Sequence, residues 1–174
     1  KDTSVTSTLG GNTMILHKTA NWNRYEFGVD VVLPDVSCKS VGVVLGGDTV
    51  GKNYYYFRIF YNGQGFFKYL YKVTPQGTET LVREQKAGDF KPGDKVRITT
   101  FVENKSLKIY IGSVEAYSGT KLTGLKGTIG LYQRGVFETN AFDNLVVKEL
   151  SSVPSDAPLL QKDFTNPEKM NFWL

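Results

Sequence analysis

Residues 54–71 hold two aromatic runs joined by a four-residue loop, and few folds accept such a pair. The first run is Tyr54-Tyr55-Tyr56-Phe57-Arg58-Ile59-Phe60-Tyr61 and the second is Phe66-Phe67-Lys68-Tyr69-Leu70-Tyr71, with Asn62-Gly63-Gln64-Gly65 between them. Aromatic segments around a short Asn/Gly loop predict a β-hairpin. Side chains of a strand alternate between its faces. Tyr55, Phe57, Ile59 and Tyr61 therefore share one face, and Tyr54, Tyr56, Arg58 and Phe60 share the other. One face enters a core. The other displays rings beside a guanidinium, more than a merely solvated face requires.

The same period-two pattern recurs along the chain. Tyr25, Phe27, Val29, Val31 and Leu33 alternate with Glu26, Gly28 and Asp30, and residues 13–18 and 41–45 form shorter apolar runs. Around the Asn104-Lys105 turn, Val96, Ile98, Val102, Leu107, Ile109 and Ile111 point inward. Arg97, Thr99, Phe101, Glu103, Lys108 and Tyr110 point outward. Pro75-Gln76-Gly77 reads as a turn and residues 115–127 as a polar, glycine-punctuated crossing. Residues 151–158 read as a linker, and Pro167 as the start of a single helical turn. About ten to thirteen strands without helical periodicity predict an all-β fold, a two-sheet antiparallel β-sandwich of jelly-roll type.

At 174 residues the chain is long enough for one domain with a real core. Its net charge of +4 is spread over scattered lysines rather than a run, which argues against nucleic acid as a partner. No apolar run approaches the roughly 18 residues of a membrane-spanning helix, so no membrane partner is expected. Cys38 is the single cysteine, which excludes an internal disulfide; it reads as a small, partly buried apolar residue. His17 is the single histidine and reads as a surface or edge position.

Hydrolysis of sugars needs two carboxyl groups about 5–5.5 Å or about 6.5–9.5 Å apart. Glu26 and Asp30 share a strand face but stand about 13 Å apart at about 3.3 Å per residue. Glu103 and Glu138 lie at loop ends with no evident partner carboxylate, and one histidine assembles no Ser/His/acid set. The chain is read as non-catalytic. Sugar binding needs other parts: rings for the C–H face of a sugar, and charged groups for its hydroxyls. Tyr54, Tyr56 and Arg58 on one hairpin, and Glu103 and Tyr110 on the other, supply both. Trp22, Arg24, Arg134 and Glu138 stand on loops placed to rim the same surface.

The order of these signals resembles one family. Trp22-x-x-Tyr25-x-Phe27-x-Val29-x-Val31 comes first, Asn53-Tyr54-Tyr55-Tyr56-Phe57-Arg58-Ile59 follows, and Gly93-Asp94-Lys95-Val96-Arg97-Ile98 leads to Leu107-Lys108-Ile109-Tyr110-Ile111. Gly127-Thr128-Ile129-Gly130-Leu131 and Ala141-Phe142-Asp143-Asn144-Leu145 close the series. Residues 12–150 so resemble the concanavalin-like, laminin-G-like jelly rolls attached to bacterial glycoside hydrolases. They are most similar to the fructan-binding modules of levanases, carbohydrate-binding module family 66. The resemblance implies a secreted, extracellular bacterial module. It would target a parent glycoside hydrolase catalytic domain to polysaccharide, with fructan (levan) chain ends as the ligand. An adhesin or protein-interaction sandwich of laminin-G type is the alternative, and a glycosidase with an unread site is a third.

One departure concerns the end of the chain. The family opens with a strand ending in Asp-Phe and then a Trp strand; here Leu160-Gln161-Lys162-Asp163-Phe164 and Phe172-Trp173-Leu174 come last. Residues 159–174 thus either complete the same sandwich, with Phe164 and Trp173 buried in it, or open a following copy; exchange with a neighbour is a further route. The resemblance also implies a structural Ca²⁺ joining the first and last strands, with Asp143 and Asp163 as its ligands; Asp143 alternatively caps its own turn. Sugar binding itself requires no cofactor.

Overall fold

The computed structural model describes residues 12–17, 22–36, 38–48, 53–127, 129–135, 142–150 and 160–162. Among them are twelve strands. They are β1 (Asn12–His17), β2 (Arg24–Val32), β3 (Ser40–Asp48), β4 (Asn53–Tyr61), β5 (Phe66–Thr74), β6 (Gly77–Lys86), β7 (Lys95–Glu103), β8 (Ser106–Ile111), β9 (Val114–Gly119), β10 (Ile129–Arg134), β11 (Phe142–Glu149) and β12 (Leu160–Lys162). Two six-stranded antiparallel sheets result: sheet A in the order β1-β10-β3-β4-β5-β6, and sheet B in the order β12-β11-β2-β7-β8-β9. This is the jelly-roll sandwich that the alternation predicts.

The core lies between the inner faces. β2 contributes Tyr25, Phe27, Val29 and Val31, β4 contributes Tyr55, Phe57 and Ile59, and β7 and β8 contribute Ile98, Val102, Leu107 and Ile109, all fully buried. The aromatic hairpin forms as its sequence predicts, with Tyr61 opposite Phe66. Its loop is fixed by Asn62, whose Oδ1 accepts hydrogen bonds from the Gln64 and Gly65 amides. Gly63 takes the left-handed conformation there, which glycine adopts without a Cβ clash. Two inward tyrosines keep their hydroxyls satisfied at one end of the core: Tyr55 donates to the Thr123 carbonyl and Tyr25 to that of Leu125.

Three readings are corrected. Part of residues 115–127, read as a crossing, belongs to β9, which pairs with β8 through Ile111↔Val114 and Tyr110↔Glu115. As the last strand of sheet B, β9 carries few buried side chains, so alternation was too weak to reveal it. Cys38 is exposed rather than partly buried; it sits in a turn at φ 68°, where its amide donates to the Tyr61 carbonyl. Arg24 and Arg134 are the terminal residues of β2 and β10, not loop residues. Elsewhere, β12 pairs with β11 of the same chain through Leu145↔Lys162. Its flanking segments, including Phe164, Trp173, the 151–158 linker and the turn at Pro167, lie outside the described residues.

Sheet A ends in a long strand of another character. Nearly every residue of β6 is exposed. It carries Glu79, Arg83, Glu84 and Lys86, and its register to β5 shifts around Leu70. Glu84 stands at φ 50°, a bulge-like kink in the strand.

Candidate functional site

Strand parity places Tyr54, Tyr56, Arg58 and Phe60 on the face of sheet A turned away from the core, each half-buried. Hydrogen-bond register aligns them with neighbours. Arg58 lies opposite Tyr69 on β5 and Gly42 on β3, and Gly42 lies opposite Tyr132 on β10. Gly42 is required by close packing: a Cβ there would stand 1.9 Å from the Phe57 carbonyl oxygen. With no side chain between them, Tyr132 and the β4 side chains close over β3.

The rings form a continuous array. Tyr56 stacks on Tyr71 at 4.7 Å and on Tyr132 at 5.2 Å, and Tyr71 stacks on Tyr69 at 5.8 Å with only 4° between planes. Phe60 meets Tyr69 edge-on at 6.2 Å. Arg58 is set into this array. Its guanidinium lies 4.8 Å from the Tyr69 centroid, 5.4 Å from Tyr71 and 5.5 Å from Phe60, within cation–π range. One Arg58 NH2 donates to the Tyr71 hydroxyl at 3.2 Å. Its Nε is buried with no hydrogen-bond partner among the described residues. Burial, reinforced by Tyr132 and Tyr71, pushes the Tyr56 hydroxyl up to about 12. Burial likewise raises Tyr54 and Tyr69. Burial opposes the Arg58 charge, but the tyrosines Tyr132 and Tyr71 outweigh it and raise the guanidinium further. Neutral hydroxyl donors thus surround a permanent cation. At one end of the array Tyr54, with residues 73–78 of the β5–β6 turn, lines a hollow of about 470 Å³.

The sequence-predicted residues divide between two surfaces. Tyr54, Tyr56 and Arg58 share sheet A's outer face, and Arg134 follows Tyr132 at the next outward position of β10, opposite Ser40. Glu103, Tyr110 and Arg24 belong to the outer face of sheet B, on the opposite side of the sandwich. There Arg24 donates to Glu103 at 3.1 Å, and the Tyr110 hydroxyl donates to Glu115 at 3.2 Å. Trp22 joins neither surface: it packs partly buried against the core, 6.3 Å from the Tyr25 ring. Glu138 lies outside the described residues. Tyr69, Tyr71, Phe60 and Tyr132 complete the array although sequence reasoning had not placed them in the site. For Tyr69 and Tyr71 the signal was the alternation about buried Leu70.

Asp143 belongs to an ionic cluster at the other end of sheet B's outer face. Its Oδ2 is 2.7 Å from Lys95 Nζ. Asp30 accepts from Arg97 at 2.8 Å and from the Asn144 amide at 2.8 Å. A protein ammonium engages the Asp143 carboxylate, and no group of three His, Cys, Asp or Glu side chains placed to hold a metal occurs among the described residues. Asp163, the other ligand that the resemblance implies for calcium, lies outside the described residues.

An outward-facing aromatic array with an embedded cation thus sits on a two-sheet jelly roll. Solved structures of that architecture align with the chain. The carbohydrate-binding module CBM66 from Bacillus subtilis matches with TM-score 0.63 at 18% identity, over 80% of this chain and 83% of that one. Galectin-Ib from Xenopus laevis matches with TM-score 0.59 at 15% identity, over 78% of this chain and 99% of that one. CG-16, a homodimeric agglutinin from chicken liver, matches with TM-score 0.57 at 14% identity and the same coverage. These likenesses establish the jelly-roll fold. No protein-family model matches the chain, and no curated protein does.

Proposed function

We propose that the protein is a non-catalytic carbohydrate-binding module that seats sugar on the outer face of sheet A, around Arg58. The observation that carries the reading is Arg58 itself, an oriented cation among the half-buried rings of β4 and β5, beside the fully buried Tyr132. Preorganised donors cost little further ordering on binding. The guanidinium fork suits paired oxygens, the flanking hydroxyls extend the hydrogen-bonding edge, and ring carbons meet C–H groups. The hollow beside Tyr54 extends the seat along β4. Fructan, as levan chain ends, is the proposed ligand. Secretion beside a parent glycoside hydrolase is the proposed setting. Both rest on the resemblance of residues 12–150 to levanase modules; the likeness to CBM66 supports the coarser reading of carbohydrate binding.

A laminin-G-type docking surface for protein finds less support. Among the described residues the exposed large hydrophobics are only Val36 and Val114, too few for an apolar contact patch. Affinity electrophoresis in gels containing levan, inulin or xylan tests the reading. Retardation by levan, lost in Tyr56→Ala and Arg58→Ala, is the expected result, with no sugar released on incubation. Unretarded migration in all three gels, or release of sugar, would overturn it.

A further inference from the structure

The opposite side of the sandwich holds a groove that the sheet A seat does not use. It has a volume of about 340 Å³ and is lined by Phe101, Glu103, Ser106, Lys108, Tyr110 and Leu150. Its rings are arranged differently from the sheet A array. Phe101 and Tyr110 meet at 88° with centroids 5.8 Å apart. In an edge-to-face contact the edge of one ring meets one face of the other, so fewer ring faces are covered than in the stacked sheet A array. The polar groups are also ready. Lys108 and Ser106 make no side-chain hydrogen bond to the described residues, and the Arg24–Glu103 pair is half-exposed at 42% and 53%.

Charge selects the occupant. Around this face stand Arg24, Lys108 and Lys148, and against them Glu26, Glu103 and Glu115; Lys148 lies directly opposite Glu26, and Tyr110 opposite Glu115. Among the described residues the cations and carboxylates named here are equal in number, so they set up no net field to draw an anion or a cation. A neutral hydroxyl gains from both signs, accepting from the ammonium and donating to the carboxylate. Half-buried rings beside such groups suit the C–H face of a sugar.

We infer that the groove lined by Phe101, Lys108 and Tyr110 is a second seat for neutral polysaccharide, so that one module holds two chains on opposite faces. The inference rests on the reading of the protein as a carbohydrate-binding module. It does not depend on where that reading places the first seat.

The test uses the full chain with levan-, inulin- and xylan-derived oligosaccharides in isothermal titration, and the parent soluble polymers in a turbidity assay. Wild type is expected to bind two equivalents of one oligosaccharide and to precipitate its polymer. Arg58→Ala and Lys108→Ala should each weaken one seat at least tenfold, leave one equivalent and abolish precipitation; the double variant should not bind. Lys108 is exposed and its side chain bonds nothing described, so loss in Lys108→Ala is no folding artefact. Lys108→Glu, which unbalances the field without removing a ring, should repeat the loss. One equivalent in wild type, unchanged in Lys108→Ala, would overturn the second seat and leave the first standing. One equivalent lost only in Lys108→Ala would overturn the two-seat inference and move the site. No binding by any probe would overturn the carbohydrate reading and the inference with it.

Discussion

Replacing Arg58 by alanine separates its part in folding from its part in binding. In the free protein the guanidinium contributes three ring contacts, at 4.8, 5.4 and 5.5 Å, each worth about 0.5–1 kcal/mol at half-exposed sites. The bond to Tyr71 adds about 1 kcal/mol. Against these stands the buried, unbonded Nε, whose desolvation costs about 1–3 kcal/mol and which the mutation removes. The net loss of stability is about 1–2 kcal/mol, a fall in melting temperature of about 2–8 °C for a chain of this size. Hydrogen bonds from a charged group to ligand hydroxyls are worth about 1.5–3 kcal/mol, so affinity should fall about 10- to 150-fold. Arg58→Lys keeps the charge but not the planar fork, and should recover stability more than affinity. Thermal melts followed by circular dichroism and titration with the polysaccharide that retards wild type give the two numbers. A variant that melts as calculated yet binds with unchanged affinity would show that the cation serves only the packing of the array.

Three further outcomes follow from the geometry. Burial of Asp30 works against its charge, but the Asn144 and Arg97 hydrogen bonds, with Arg97 and Lys95, hold its pKa below the ordinary 3.8. Its contribution to stability is therefore complete above pH 3.8 and is lost as pH falls through the lower folded value. Asp30→Asn should lower the melting temperature at pH 7 and flatten its decline in acid; an unchanged acid limb would contradict this. Gly42→Ala drives a Cβ to 1.9 Å from the Phe57 carbonyl and 2.7 Å from the Arg58 Cα, backbone atoms that cannot rotate away. It should cost about 3 kcal/mol, or about 6–12 °C, and a wild-type melt would refute the close approach. Tyr54, Tyr56 and Tyr69 are pushed upward and Arg58 stays charged, so affinity at the sheet A seat should be level from about pH 6 to 9; a midpoint inside that range would implicate another group.

Parity made much of this molecule legible. The inward set of β4 and the outward set beside Arg58 follow from alternation alone, because burying one face of a strand fixes its register. Parity does not say which sheet a strand joins. Arg58 and Glu103 are both outward, but β4 pairs with β3 and β5 while β7 pairs with β2 and β8. These pairings are set by contacts distant in sequence, and a single surface was therefore expected where there are two. β9 escaped for a related reason. A strand at the end of a sheet needs few apolar residues, so the residues from Glu115 onward read as a crossing although Gly112, at φ 59°, marks the hairpin before them. Glycine at Gly42 was equally silent, since its reason is the approach of a neighbouring backbone.

The charged and kinked margin of sheet A has a consequence for how copies coexist. A straight apolar β6 would offer its unpaired amides and carbonyls as a template for any identical copy that came alongside. Glu79, Arg83, Glu84 and Lys86, with the bend at Glu84, make that approach unfavourable in both geometry and charge. At high local concentration, these domains can stay individual particles and avoid zipping together into fibres.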